Sequence, residues 1–151
     1  MKYQYAKHQI REIINAAKCL RDGETAEIKS NGRGGKLDTD LELMDGPFVD
    51  LRYIVKTHDY SLVEGSESNL LLAAQRVRGV GYCAVGRRHF YTHRIPPGWH
   101  QNILDPNLPT TDFDYNKHEP LLNFSPVDFD DFIRKTAKLW NIDLAFGDRL
   151  L

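Results

Sequence analysis

The residues best suited to chemistry lie together in Arg87-Arg88-His89-Phe90-Tyr91-Thr92-His93-Arg94. Read as a strand, this segment sends Arg87, His89, Tyr91 and His93 to one face and Arg88, Phe90, Thr92 and Arg94 to the other. One face then holds two imidazoles flanking a phenol, beside a guanidinium. Imidazole exchanges protons near neutral pH, and arginine grips phosphate through paired hydrogen bonds. These are the parts of a metal-independent ribonuclease or phosphodiesterase. The same residues also suit a solvated strand face with polar cross-strand pairs. Arg76 and Arg78 share one face of the preceding segment, and strand pairing would bring these arginines onto one patch with Arg87 or Arg88. The alternative is that their stems cover apolar surface while their heads pair with Asp38, Asp40 and Glu42.

A second notable stretch is Pro96-Pro97-Gly98-Trp99-His100-Gln101-Asn102. After a rigid turn, His100 would be aimed into a cleft with Trp99 stacking on a base. In the plainer alternative Trp99 anchors a loop to the core and His100 sits on the surface. His118-Glu119 offers a further imidazole and a carboxylate. His89, His93, His100, His118 and Glu119 have metal-ligand chemistry, but imidazoles four residues apart on a strand stand roughly 13 Å apart. Neither a metal nor a cofactor is expected. Gly32-Arg33-Gly34-Gly35 lacks the lysine and hydroxyl residue of a phosphate loop, and no Gly-x-Ser-x-Gly turn occurs. Cys19 and Cys83 are isolated thiols and read as small core residues.

The elements that must carry these residues follow from periodicity. Ala6, Ile10, Ile13, Ile14, Ala17 and Leu20 form one apolar stripe, predicting a helix from about Tyr3 to Arg21 that stops at Gly23. Thr25 to Ser30 reads as a short strand followed by a turn at Asn31–Gly35. Leu37, Thr39, Leu41 and Leu43 alternate with Asp38, Asp40 and Glu42, a half-buried strand with one acidic face. After Asp45-Gly46-Pro47, the residues Val49, Leu51, Tyr53 and Val55 alternate with Asp50, Arg52 and Lys56. Tight turns between these runs make an antiparallel meander the economical arrangement.

Gly65-Ser66-Glu67-Ser68-Asn69 reads as a polar loop. Leu70 to Arg78 suits a helix by composition, while Gly79 and Gly81 among valines tilt it towards a bending central strand. Prolines at 96, 97, 106, 109 and 120 predict a long irregular loop at about 95–125, held by Trp99 and Phe113. Ser125-Pro126-Val127-Asp128 resembles a helix start with a serine cap. Phe129, Phe132, Ile133, Thr136, Ala137 and Trp140 would be that helix's buried face. The expected architecture is therefore one α+β domain over residues 1–151: an antiparallel sheet of about five to six strands, packed with an N-terminal and a C-terminal helix.

Composition bounds the function. The 151 residues carry a formal net charge of −1, which argues against a purely electrostatic nucleic-acid binder. The average hides an asymmetry: Arg76 to His100 contains no acidic residue, and the following stretch to Asp131 is strongly acidic. No apolar run approaches the roughly 20 residues needed to span a bilayer. The start, Met1-Lys2-Tyr3-Gln4-Tyr5, lacks the apolar core of a signal peptide, so a cytoplasmic location without membrane contact is expected.

Arg76-Val77-Arg78-Gly79, followed by Trp99-His100 and then His118, resembles the TumE-type toxins of toxin–antitoxin modules over the middle third of the chain. The resemblance implies a compact α+β protein and marks Arg76, Arg78, His100 and His118 as catalytic positions. Arg87, Arg88, His89, Tyr91, His93, Arg94 and Trp99 then stand as candidate ligand contacts. The N-terminal helix and the long Pro/Asn loop depart from the shortest members. The leading expectation is a small toxin-like bacterial or phage protein acting on RNA, a nucleotide or another phosphate-bearing ligand, with an antitoxin as a protein partner. The alternative is a non-catalytic interaction protein, an inhibitor or accessory subunit in a defence system.

Overall fold

The computed structural model describes residues 7–72, 83–88, 98–103 and 117–145, with residues 7, 83–88, 102, 117 and 118 placed by their backbone alone. Along the chain run α1 (Lys7–Asn15), β1 (Lys18–Leu20), β2 (Ile28–Asn31), β3 (Gly34–Leu43), β4 (Leu51–Thr57) and β5 (Glu67–Leu72). They are followed by β6 (Cys83–Arg88), β7 (Gly98–Ile103), β8 (Lys117–Pro120), α2 (Phe129–Leu139) and β9 (Ile142–Asp143). All nine strands join one sheet in the order β8-β7-β6-β5-β4-β3-β1-β9, with β2 also paired to β3. Six consecutive strands, β3 to β8, form the antiparallel meander that the alternating runs and tight turns call for. The short strands β1, β2 and β9 extend it at one edge, and β9 lies parallel to β1. The class is α+β, as the pattern of elements implied.

Alternation fixes which face is covered. Leu37 opposes Val55, Leu41 opposes Leu51, and Leu51 and Tyr53 oppose Leu72 and Leu70. These side chains form one buried cluster with Ile10, Ile13 and Ile14 of α1 and Phe129, Phe132 and Ile133 of α2, so both helices cover the same face. Each fully buried aliphatic or phenylalanine side chain contributes about 1.5–3 kcal/mol of transfer free energy. Tyr53 locks α2 onto β4, since its hydroxyl meets the Thr136 hydroxyl and the Ile133 carbonyl while its ring stands edge-on to Trp140. Gly35 lets Tyr60 cross β3, because a Cβ there would fall on the phenol that bonds Ser30.

Several boundaries differ from the sequence expectation, among them the short strand expected at Thr25–Ser30, which is Ile28–Asn31. Helix α1 ends at Asn15 rather than near Arg21, and Ala17 and Leu20 leave the helical stripe as the chain pairs with Leu41–Leu43 in β1. The reason is Lys18. This side chain is fully buried, and its ammonium donates to the carbonyls of Ile14 at 2.6 Å, Ala16 at 2.8 Å and Trp140 at 2.7 Å. It thus caps the C-terminal ends of both helices. The polar run expected as a loop at 65–69 is largely β5, with Ser66 and Ser68 buried and Glu67 and Asn69 half-buried.

The cap of α2 is Asp128, not Ser125. Its carboxylate accepts from the Asp131 amide, and the Asp131 carboxylate accepts from the Val127 amide, a reciprocal arrangement that a serine at 125 is too far back to make. Last, the irregular stretch at 95–125 contains β7 and β8, whose ladder bonds outweigh the proline-rich composition; Phe113 lies outside the described residues. Among the described residues no helix is long and apolar enough to cross a membrane.

Replacing Lys18 by methionine keeps much of the stem and removes the donor from three carbonyls, two buried and one part-buried. At roughly 1 kcal/mol or more per orphaned carbonyl, the loss should reach about 3 kcal/mol by urea unfolding. The exposed Lys29→Met control should stay within about 0.5 kcal/mol. A Lys18→Met loss below that of the control would refute the capping role.

Candidate functional site

The sequence-predicted residues fall into three groups. Arg76, Arg78, His89, Tyr91, His93 and Arg94 lie outside the described residues. Arg87, Arg88 and His118 are placed by backbone: Arg87 pairs with Trp99, Arg88 with Gly98, and His118 with Asn102. The fold therefore brings these candidate positions onto three adjacent strands, β6, β7 and β8, around His100.

His100 and Trp99 are placed in full. Trp99 is half-buried and packs on Phe132 at 5.3 Å and Phe124 at 5.5 Å between ring centroids. Its indole is thus part of the core packing under α2. His100 alternates to the other side of β7, where it is only 3% exposed, with Nδ1 at 3.0 Å from the Gly98 carbonyl. That is a buried imidazole held by its own strand, in a strand rather than after a free turn.

Glu119 is likewise engaged. It accepts from Arg11 of α1 at 2.9 Å and from the Gln101 amide at 3.0 Å, while Gln101 accepts from the Trp140 indole at 3.2 Å. This chain of polar groups ties α1, β7, β8 and the end of α2 together. A cavity of about 100 Å³ opens beside it, between the two helices.

A larger polar cleft, about 360 Å³, lies at the opposite end of the sheet. It exists because β1 and β2 both pair with the same side of β3, at Leu41–Leu43 and at Gly34–Leu37, while residues 21–27 swing away between them. The turn is set by Gly23 at φ 83° and by the Glu24 amide bonding the Arg21 carbonyl. Asp38, Thr39 and Asp40 are left at the break, and Arg21, Glu24, Asp50 and Arg52 complete the lining.

Its electrostatics are partly internal. Arg52 makes a two-pronged pair with Asp38, with Nε to Oδ1 at 2.7 Å and a second bond from Nη2 to Oδ2. Arg21 bonds Asp50 and the Leu41 carbonyl, and its guanidinium lies 5.3 Å from the centroid of the exposed Phe48 ring. The Arg52 hydrogen bond, opposed by burial and aided by the charges of Arg52 and Lys36, holds the Asp38 carboxyl below the usual carboxylate range. Hydrogen bonding to Asp50 raises Arg21, and to Asp38 raises Arg52, above the ordinary guanidinium value.

In the sequence the acidic ladder of β3 is one face of an alternating strand and Arg21 ends an apolar helical stripe, so neither marks a cleft. The usable signal was Arg52 on the polar face of the strand that follows Asp38 and Asp40 in the meander; the register that pairs them comes from the fold. Among the described residues no group of three or more His, Cys, Asp or Glu side chains comes together as a metal site.

Comparison with protein-family models, with curated proteins and with solved structures finds no match.

Because Asp38 is depressed in the folded chain, its contribution to stability is present above the unfolded carboxylate value of about 3.9 and is lost as pH falls through the folded value. Arg52→Gln should move the Asp38 midpoint upward in a carbon-detected NMR titration and remove part of the stability near neutral pH. An unchanged midpoint would show that the guanidinium is not the cause.

Proposed function

We propose that the protein is a non-catalytic interaction protein of the inhibitor or accessory-subunit kind, and that the charged cleft at the β1/β2–β3 edge is its interface. The observation that carries this reading is the contrast between two places. His100, one of the histidines offered as a general base for a metal-independent ribonuclease, is buried and bonded to its own backbone, and Trp99 is spent on Phe124 and Phe132. The cleft, by contrast, is open to solvent and lined by charged side chains that a partner can meet.

The sheet supports the same reading. A cleft built on a long strand and its antiparallel neighbour is held by ladder bonds on a rigid scaffold, so a partner would meet a preformed surface. Phe48, 68% exposed beside the cleft, supplies the aromatic contact that interfaces favour.

Two measurements test the proposal. Phe48 replaced by p-benzoylphenylalanine should, on irradiation in the cells that make the protein, give one discrete covalent adduct, and Asp40→Arg should abolish it. Purified protein with chelator present should leave an RNA pool uncut. Cleavage that disappears in a folded His100→Ala variant would overturn the proposal in favour of the ribonuclease expected from the resemblance.

A further inference from the structure

We infer that the cleft accepts an arginine side chain from the partner, with a neighbouring apolar residue of the same peptide resting on Phe48. The inference rests on the reading of the cleft as an interface. Four carboxylates, Glu24, Asp38, Asp40 and Asp50, face two guanidiniums, Arg21 and Arg52, in its lining. The internal pairs consume them unequally. Asp38 is taken by Arg52, with Lys36 a further 3.7 Å contact, and Asp50 is taken by Arg21.

Asp40 and Glu24 are left with spare acceptor capacity. Among the described residues the nearest cation to the Asp40 carboxylate is Arg21 Nη1 at 3.9 Å, beyond hydrogen-bonding distance, and the Asp40 side chain is 35% exposed. Glu24 accepts one long bond from the Thr39 hydroxyl at 3.4 Å. The two sit on opposite walls of the break in the β3 edge, one on the strand and one on the excursion between β1 and β2. A second cation can therefore be bound between them without breaking an existing ion pair.

A planar guanidinium, with donors pointing in several directions, fits two carboxylates on different walls better than an ammonium does. Charge complementarity thus selects a cationic partner residue, and the exposed ring of Phe48 at the rim selects an apolar neighbour for it. The two existing arginines repel a second cation in part and keep the site from behaving as a general acidic patch. They also disfavour a bare metal ion.

The test uses the whole chain, labelled with nitrogen-15, and the capped dipeptide acetyl-Arg-Leu-amide. Titration should shift the amides of Glu24, Asp40 and Phe48 in a saturable way, with weaker binding at high salt. Acetyl-Arg-Ser-amide should bind more weakly, and acetyl-Glu-Leu-amide should leave these amides in place. The Glu24→Gln, Asp40→Asn double variant, checked to be folded by its unchanged spectrum elsewhere, should bind at least about tenfold more weakly. Equal shifts from the glutamate dipeptide, or undiminished binding by the double variant, would overturn the inference. Absence of binding together with a successful cross-link at position 48 rejects the arginine and leaves the interface standing. Absence of both rejects the two together.

Discussion

A single ammonium group joins the ends of the two helices at the edge of the sheet. Lys18 sits on β1, yet its Nζ is bound by carbonyls from the end of α1, from the link after it and from the end of α2. Burying a charge costs several kcal/mol unless it is well solvated by the protein, and three carbonyls at the negative ends of two helix dipoles provide that solvation. Around this point the backbone adds its own ties: the Lys18 amide bonds the Asn141 carbonyl at 2.9 Å, and the Asn141 side chain bonds the Asn15 carbonyl at 3.2 Å. Asn141, at φ 55°, makes the left-handed turn that ends α2 and lets Ile142 run alongside Lys18. These contacts fix where the two helices end, and the buried cluster between helices and strands holds the rest of their length.

The sheet divides its two faces between different tasks. Leu37, Leu41, Leu51, Tyr53, Val55 and Leu70 meet the helices, whereas Asp38, Asp40, Arg52 and Lys56 look the other way. Alternation also sends Leu71 and His100 to that second face, yet both are buried, and Leu71 stands apart from the main core cluster. The second face is therefore not uniform. Near β3 and β4 it is charged and open to the cleft, and at Leu71 and His100 it is buried. That division separates the candidate interface from the histidine that the sequence singled out.

How far the sequence could be read depended on whether the decisive interaction was periodic. The alternation of Leu37, Leu41, Leu51, Tyr53 and Val55, and the helical spacing of Phe129, Phe132, Ile133, Thr136 and Ala137, identified the core strands and the buried face of α2 correctly. The end of α1 was not legible, because Ala17 and Leu20 continue the stripe while only a distant carbonyl at Trp140 explains the buried lysine between them. Ser66 and Ser68 looked like loop residues, and they are inward-facing residues whose hydroxyls find no partner among the described residues. The candidate site was half legible: the acidic ladder and Arg52 were visible, but the break in the strand edge that turns them into a cleft comes from a pairing of two short segments with one strand.

The parallel pairing of β1 with β9 has a consequence for how the protein is made. Lys18 and the Trp140 carbonyl that receives it are 122 residues apart. At about 5–20 residues per second, the ribosome takes roughly 6–25 seconds to deliver the second after the first. The meander from β3 to β8 uses neighbouring segments and is free to assemble during that interval. Until the last helix arrives the Lys18 ammonium lacks the Trp140 carbonyl and water fills that place, so this tie between the two helix ends forms late. The tie that joins the beginning of the described chain to its end therefore spans nearly the whole time of synthesis.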